Sequence, residues 1–199
     1  MSDSLRERTI SGMLWSFMQK FGTMAIAFVA NIVLARLLTP DDYGCIGMLL
    51  IFIAVANTFI DGGFGSALIQ KKEPTQEDYS TIFYWNLFLS IVLYGILFFT
   101  APFIADFYEI SLLTPVLRVQ GGVLILNALS IIQCNQLRKQ LRFRLIASVN
   151  LTASLFSVVI TIVLAWIGWG IWALVAQQLL FSLFNAILFW SFNKWVPSF

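Results

Sequence analysis

Thr81-Ile82-Phe83-Tyr84-Trp85-Asn86-Leu87-Phe88-Leu89-Ser90-Ile91-Val92-Leu93-Tyr94-Gly95-Ile96-Leu97-Phe98-Phe99-Thr100-Ala101-Pro102-Phe103-Ile104 contains no charged residue. A helix of about 20 residues, rising about 1.5 Å per residue, crosses the roughly 30 Å of hydrocarbon in a bilayer. Backbone groups cannot go unpaired in lipid, so such a stretch must be helical there. Five further stretches read the same way: Gly12 to Leu38, Tyr43 to Ile60, Pro115 to Leu137, Leu145 to Ile167 and Gly170 to Phe192. The fold class is therefore all-α, a polytopic membrane bundle of about six transmembrane helices. These form a single lobe over residues 1–199.

Composition agrees. Of 199 residues, 59% are hydrophobic and 11% charged, against about 25% charged in a soluble domain. Mean hydropathy is +0.86. A net charge of +2 is too small to point to nucleic acid. There is no histidine, the commonest general base and metal ligand. Cys45 and Cys134 lie in no metal-ligand spacing and read as small apolar residues inside helices. No Walker loop, dinucleotide fingerprint or nucleophile with its base is present. No enzymatic activity, metal or cofactor is expected. The run from Met13 to Leu38 is too long for a signal peptide and has no small-residue cleavage site at its end, so it reads as a retained first helix.

The basic residues set an expected orientation. Arg6 and Arg8 precede the first helix, Lys71 and Lys72 separate the second from the third, Arg138, Lys139, Arg142 and Arg144 separate the fourth from the fifth, and Lys194 follows the sixth. With the N-terminus inside, all of these are cytoplasmic, as the positive-inside rule requires. Both ends are then cytoplasmic, and an even number of spans is needed. Trp15, Tyr84, Trp85, Trp190 and Trp195 would mark the inner headgroups, and Tyr43, Tyr108, Trp166, Trp169 and Trp172 the outer ones. The turn around Gly168-Trp169-Gly170 is short enough to make the last two helices an antiparallel hairpin.

Polar residues at membrane depth need a reason, because a charge there costs several kcal/mol. Lys20 and Asp61 sit at similar depth on antiparallel neighbours. One reading pairs them at the mouth of a polar cavity; the other lets Lys20 snorkel while Asp61 caps the glycine-rich break. Lys20, Thr23, Met24, Ala27, Asn31 and Ala35 form a polar and small-residue stripe on the first helix. Asn57 and Asp61 share a face of the second. Asn86, Gln120, Asn127, Asn150, Gln177 and Asn185 add one or more amides to each remaining helix. They either glue helices together or line a water-filled path. Arg36 and Arg118 lie near the outer surface. Their planar forks suit a phosphate-bearing headgroup, and anchoring of helix ends is the other reading. The candidate binding residues are Lys20, Asn31, Arg36, Asn57, Asp61, Arg118 and Gln177.

Several stretches together carry a resemblance. They are Leu34-Ala35-Arg36-Leu37-Leu38-Thr39-Pro40-Asp41-Asp42-Tyr43-Gly44, Asp61 to Gln70, Leu137 to Phe143, Gly168 to Val175, and Trp195-Val196-Pro197-Ser198-Phe199. The pattern resembles the Wzx-like lipid-linked oligosaccharide flippases of the multidrug/oligosaccharidyl-lipid/polysaccharide exporter superfamily. The resemblance implies two six-helix lobes around a central cavity and translocation of an undecaprenyl-diphosphate-linked glycan across a bacterial inner membrane. This chain would supply the first lobe, with a second lobe or second copy as partner beside the glycan and membrane lipid. Two other readings stand beside it: a drug-exporter lobe of the same superfamily, which would want a buried carboxylate, and a non-transporting scaffold for glycan assembly, whose polar stripe would exclude water.

Overall fold

The computed structural model describes residues 2–62, 68, 71 and 74–198, with residues 2–11 as backbone only. The glycine-rich run beyond Gly62, Lys72 and the side chains of Arg6 and Arg8 lie outside the described residues. Among those described there is no strand. Seven helices follow in chain order: α1 (Ser2–Leu37), α2 (Pro40–Asp61), α3 (Gln76–Phe107), α4 (Leu113–Gln120), α5 (Gly122–Lys139), α6 (Phe143–Trp166) and α7 (Ile171–Phe192). Since α4 and α5 continue one another, six stretches are long and apolar enough to cross a membrane. The chain is a multi-pass membrane protein. Phe99, Phe103 and Phe107 on one side of α3 are 75%, 74% and 80% exposed, which suits lipid and not water.

Helix ends follow local chemistry. Thr39 starts α2 with a capping box: its hydroxyl oxygen accepts from Asp42 N–H, and Asp42 Oδ2 accepts from Thr39 N–H at 3.0 Å, with Pro40 in the first turn. The Thr39-Pro40-Asp41-Asp42 run is thus a helix start. At the other end Gly62 takes a left-handed φ of 44° and donates to Thr58 O, so Gly62 and not Asp61 closes α2. A second capping box, Thr75 with Asp78, begins α3 ahead of the expected Thr81. Gly168 and Gly170, at φ of 94° and 55°, make the tight turn from α6 to α7.

The break between α4 and α5 falls at Gly121. A β-carbon there would stand 2.8 Å from Tyr94 Cδ2, so the missing side chain is what lets α3 press against this point. Nearby, Pro102 lies inside α3. Proline has no N–H for the carbonyl four residues earlier, that of Phe98. Arg118 Nε donates to Phe98 O at 3.3 Å, and its guanidinium lies over the Phe98 ring at 4.4 Å from the centroid. An arginine from α4 therefore fills the bond that Pro102 removes.

One large apolar cluster holds the end of the bundle that carries Thr39 and Gly170. It joins Leu34, Leu38, Cys45, Leu49, Leu117 and Val175 and runs along α2 as far as Ile60. Toward the other end, which carries Arg138 to Arg144 and is called here the basic end, two separate small clusters lie alongside. Leu137, Ile146, Val149 and Phe189 join α5, α6 and α7. Phe83, Ile132, Trp190 and Trp195 join α3, α5 and α7 to the chain that follows it. That following segment is strapped down by hydrogen bonds: Gln133 Nε2 donates to Trp195 O, Trp195 Nε1 to Gln76 Oε1, and Ser198 N to Ser80 Oγ. Helix α1 packs along α6 and not along α2. The two run parallel, with the Gly12 notch against Phe143 and the Gly22 notch against Leu151.

Candidate functional site

The core divides at the basic end, and a cavity of about 680 Å³ lies there. Its wall takes Phe189 and Cys134 from one small cluster and Ile131 from the other. The rest is polar. Helix α2 contributes Asn57, Thr58 and Asp61; α5 contributes Asn127, Ser130, Asn135 and Arg138; α6 and α7 contribute Asn150 and Asn185. The α5 set is one helical face, since steps of three, four, seven, eight and eleven from Asn127 return to the same side.

Local bonds decide what each amide offers. Asn150 Nδ2 donates to Ile146 O at 2.8 Å, and Asn57 Nδ2 to Ile53 O at 3.0 Å. Their carbonyl oxygens are left for other donors. Asn185 Oδ1 is buried and takes no hydrogen bond from the described residues. The wall therefore offers acceptors at Asn150, Asn185 and Asp61 and a cationic fork of donors at Arg138. Hydroxyl-rich groups and phosphate fit such a wall.

A hydrogen-bonded bridge bounds this cavity. Asn127 Nδ2 donates to Asn57 Oδ1 at 3.1 Å, and Ser182 Oγ donates to Asn127 Oδ1 at 2.8 Å. The bridge ties α2 to α5 and α5 to α7. A second cavity of about 320 Å³ shares Asn57 and Asn127 with the first and adds Leu50, Gln178, Phe181 and Ser182. Gln178 Oε1 in turn accepts from Gln120 Nε2 at 2.9 Å. The bridge stands where the two cavities meet.

The structure brings Asn57 and Asp61 together in the larger cavity. The other candidates lie elsewhere. Lys20 lines a different, mostly apolar cavity beside α1. Among the described residues the ion pair present is Lys71 with Asp78, at 2.6 Å. The Lys20–Asp61 pair, one of the two readings of these charges, does not form, because α1 leans on α6 and leaves α2 to others. Asn31 and Arg36 are exposed on the free side of α1. Arg118 is turned to Phe98 O. Gln177 is half-buried, and its neighbour Gln178 faces the second cavity. One step along a helix is about 100° of rotation, so adjacent glutamines serve different sides.

Arg138, Asn135 and Ser130 belong to the wall and were not among the candidate binding residues. Arg138 reads in the sequence as a topology charge in a basic loop, yet it sits in the last turn of α5. The stripe Asn127, Ser130, Cys134, Asn135, Arg138 is the signal that would have found it.

A helical membrane bundle with a polar cleft between its helices is the class that fold and site define. Residues 33–199 match the family model described as polysaccharide biosynthesis protein, and the chain belongs to that family. It is 26% identical over 198 residues to the teichuronic acid biosynthesis protein TuaB of Bacillus subtilis (strain 168), covering 98% of this chain and 41% of that protein. It is 30% identical over 188 residues to the lipopolysaccharide biosynthesis protein WzxC of Escherichia coli (strain K12), covering 92% and 36%. With the succinoglycan biosynthesis transport protein ExoT of Rhizobium meliloti (strain 1021) it shares 25% over 185 residues, covering 93% and 37%. The chain thus spans about two fifths of the length of these curated relatives. No solved structure matches it. The resemblance read from Leu34 to Gly44 and the other quoted stretches agrees with this family and with WzxC.

Proposed function

We propose that this chain forms one lobe of a polysaccharide exporter that moves a lipid-linked, phosphate-bearing glycan across the bacterial inner membrane, its basic end cytoplasmic. The cleft among α2, α5, α6 and α7 takes the phosphate and first sugars, while the lipid tail stays in the bilayer. The observation that carries this reading is the makeup of the cleft wall: one arginine fork, one carboxylate and an asparagine-rich lining. Arg138 meets phosphate oxygens, and the amide and carboxylate acceptors meet sugar hydroxyls. Asp61 shares its cavity with Arg138, so the cleft has no net negative charge to draw a cationic drug. The names of the relatives, which include a succinoglycan transport protein, support the same class of cargo. A second lobe, or a second copy, completes the enclosure in this reading.

The test is binding of a polyprenyl-diphosphate oligosaccharide to the purified chain, with polyprenyl monophosphate for comparison. Arg138→Gln is expected to weaken binding by about ten- to a hundredfold, the worth of about 1.5–3 kcal/mol for a charge-assisted bond. Arg138→Lys should keep part of it. Equal affinity of the glycan-bearing and glycan-free lipids, or no effect of Arg138→Gln, would sink the assignment of this cleft.

A further inference from the structure

A separate cavity, of about 420 Å³, lies against the first turns of α1 that follow Gly12. Met13 and Phe17 wall it on one side and Leu141 and Phe143 on the other; Gly12 and Ser16 form its base, and Lys20 stands within it. Among the described residues no carboxylate lines it. Lys20 is exposed. Among the described residues its ammonium has no ion pair and no hydrogen bond, since the ion pair present is Lys71 with Asp78.

The depth of that ammonium sets what it can meet. The apolar part of α1, Gly12–Leu37, has 26 residues. At about 1.5 Å each it is about 39 Å long, more than the roughly 30 Å of hydrocarbon. Lys20 lies about 12 Å along it from Gly12. Its side chain therefore reaches the level of the lipid phosphates at the basic end. Two more cations stand by. Arg142 is exposed in the turn between α5 and α6, and the Arg144 guanidinium lies 5.2 Å from the ring centroid of Trp15 on α1. The groove is apolar below and cationic above.

We propose that this groove binds an anionic phospholipid. The phosphodiester sits on Lys20, in the field of Arg142 and Arg144. The upper acyl chain lies between Phe17 and Phe143. The charge of the rim selects the headgroup, and the apolar walls select a lipid over a soluble phosphate. Because α1 is held chiefly along α6, a lipid wedged between α1 and the α5–α6 turn fastens the one helix with fewest partners. The site is separate from the polar cleft and does not depend on the cargo assigned to it.

The test is native mass spectrometry of the purified chain with equal amounts of phosphatidylglycerol and phosphatidylcholine. One phosphatidylglycerol is expected to be retained in preference. Lys20→Gln should lower that retention about fivefold, the equivalent of one charge at an anionic surface. Lys20→Arg should keep it, and Lys194→Gln, which removes another exposed cation at the same end, should leave it unchanged. Ser16→Trp, which fills the groove and keeps its charge, should lower retention as well. The proposal is overturned if both lipids are retained equally, if Lys20→Gln changes nothing, or if inorganic phosphate displaces the lipid. It is also overturned if Phe17→Cys is shielded from thiol reagents in the delipidated protein, which would mean that protein and not lipid covers the groove.

Discussion

At the scale of single residues, Arg118 shows how one side chain can be read two ways. Its position near a helix end suggested phosphate. The structure gives it the Phe98 carbonyl that Pro102 leaves without a donor. Arg118→Leu should therefore cost about 1 kcal/mol, as expected for a part-buried acceptor left unpaired. Adding Pro102→Ala restores an N–H to α3 and should return most of that loss. Thermal unfolding in detergent measures both. A double variant no more stable than Arg118→Leu alone would refute the coupling. The partner is twenty residues away in sequence, and no periodic pattern links an arginine on one helix to a proline on another. Asn57 and Asp61 were legible for the opposite reason: a step of four on one helix fixes a shared face without knowledge of any neighbour.

At the scale of elements, the six apolar stretches were plain in the sequence because hydrocarbon leaves a chain only one regular option. Which face of each helix would turn inward was not. The stripe from Lys20 to Ala35 was open to two readings, helix glue or the lining of a water-filled path; much of it is exposed, and Gly12 and Gly22 make the close contact. Gly12 and Gly22 admit Phe143 and Leu151 so closely that an added β-carbon would stand 2.6 Å from either side chain. Small residues at helix contacts are a packing signal in membranes, and here Gly12 and Gly22 set the close approach of α1 to α6. Gly22→Val should destabilise the α1–α6 contact by about 1–3 kcal/mol. Leu151→Ala in the same chain should recover part of it, and loss without recovery in unfolding curves would place the defect elsewhere. The broken fourth span was also missed. Gly121-Gly122 reads as two ordinary small residues until Tyr94 is known to press on the first.

At the scale of the whole molecule, the divided core leaves a polar cavity at the basic end. The two cysteines report on it without any mutation. Cys134 lines the large cavity, and Cys45 is buried in the main cluster at the other end. A water-soluble maleimide should label Cys134 roughly tenfold faster than Cys45, since reactivity follows access to the thiolate. Peptide mapping of the labelled chain reads the ratio. Equal protection of both would mean a dry polar seam, as a scaffold would have. A glycolipid that occupies the cleft should slow labelling of Cys134 and leave Cys45 as it was.

The bridge from Ser182 through Asn127 to Asn57 consists of a hydroxyl and two amides. None of these groups titrates across the physiological range, and none carries a charge that salt could screen. Its strength is the same in acid and in alkali, and in dilute and in concentrated media. Acidity and salt on the two sides of a membrane differ and vary. A division between two cavities built from ion pairs would loosen and tighten with them; this one answers only to what enters the cavities on either side.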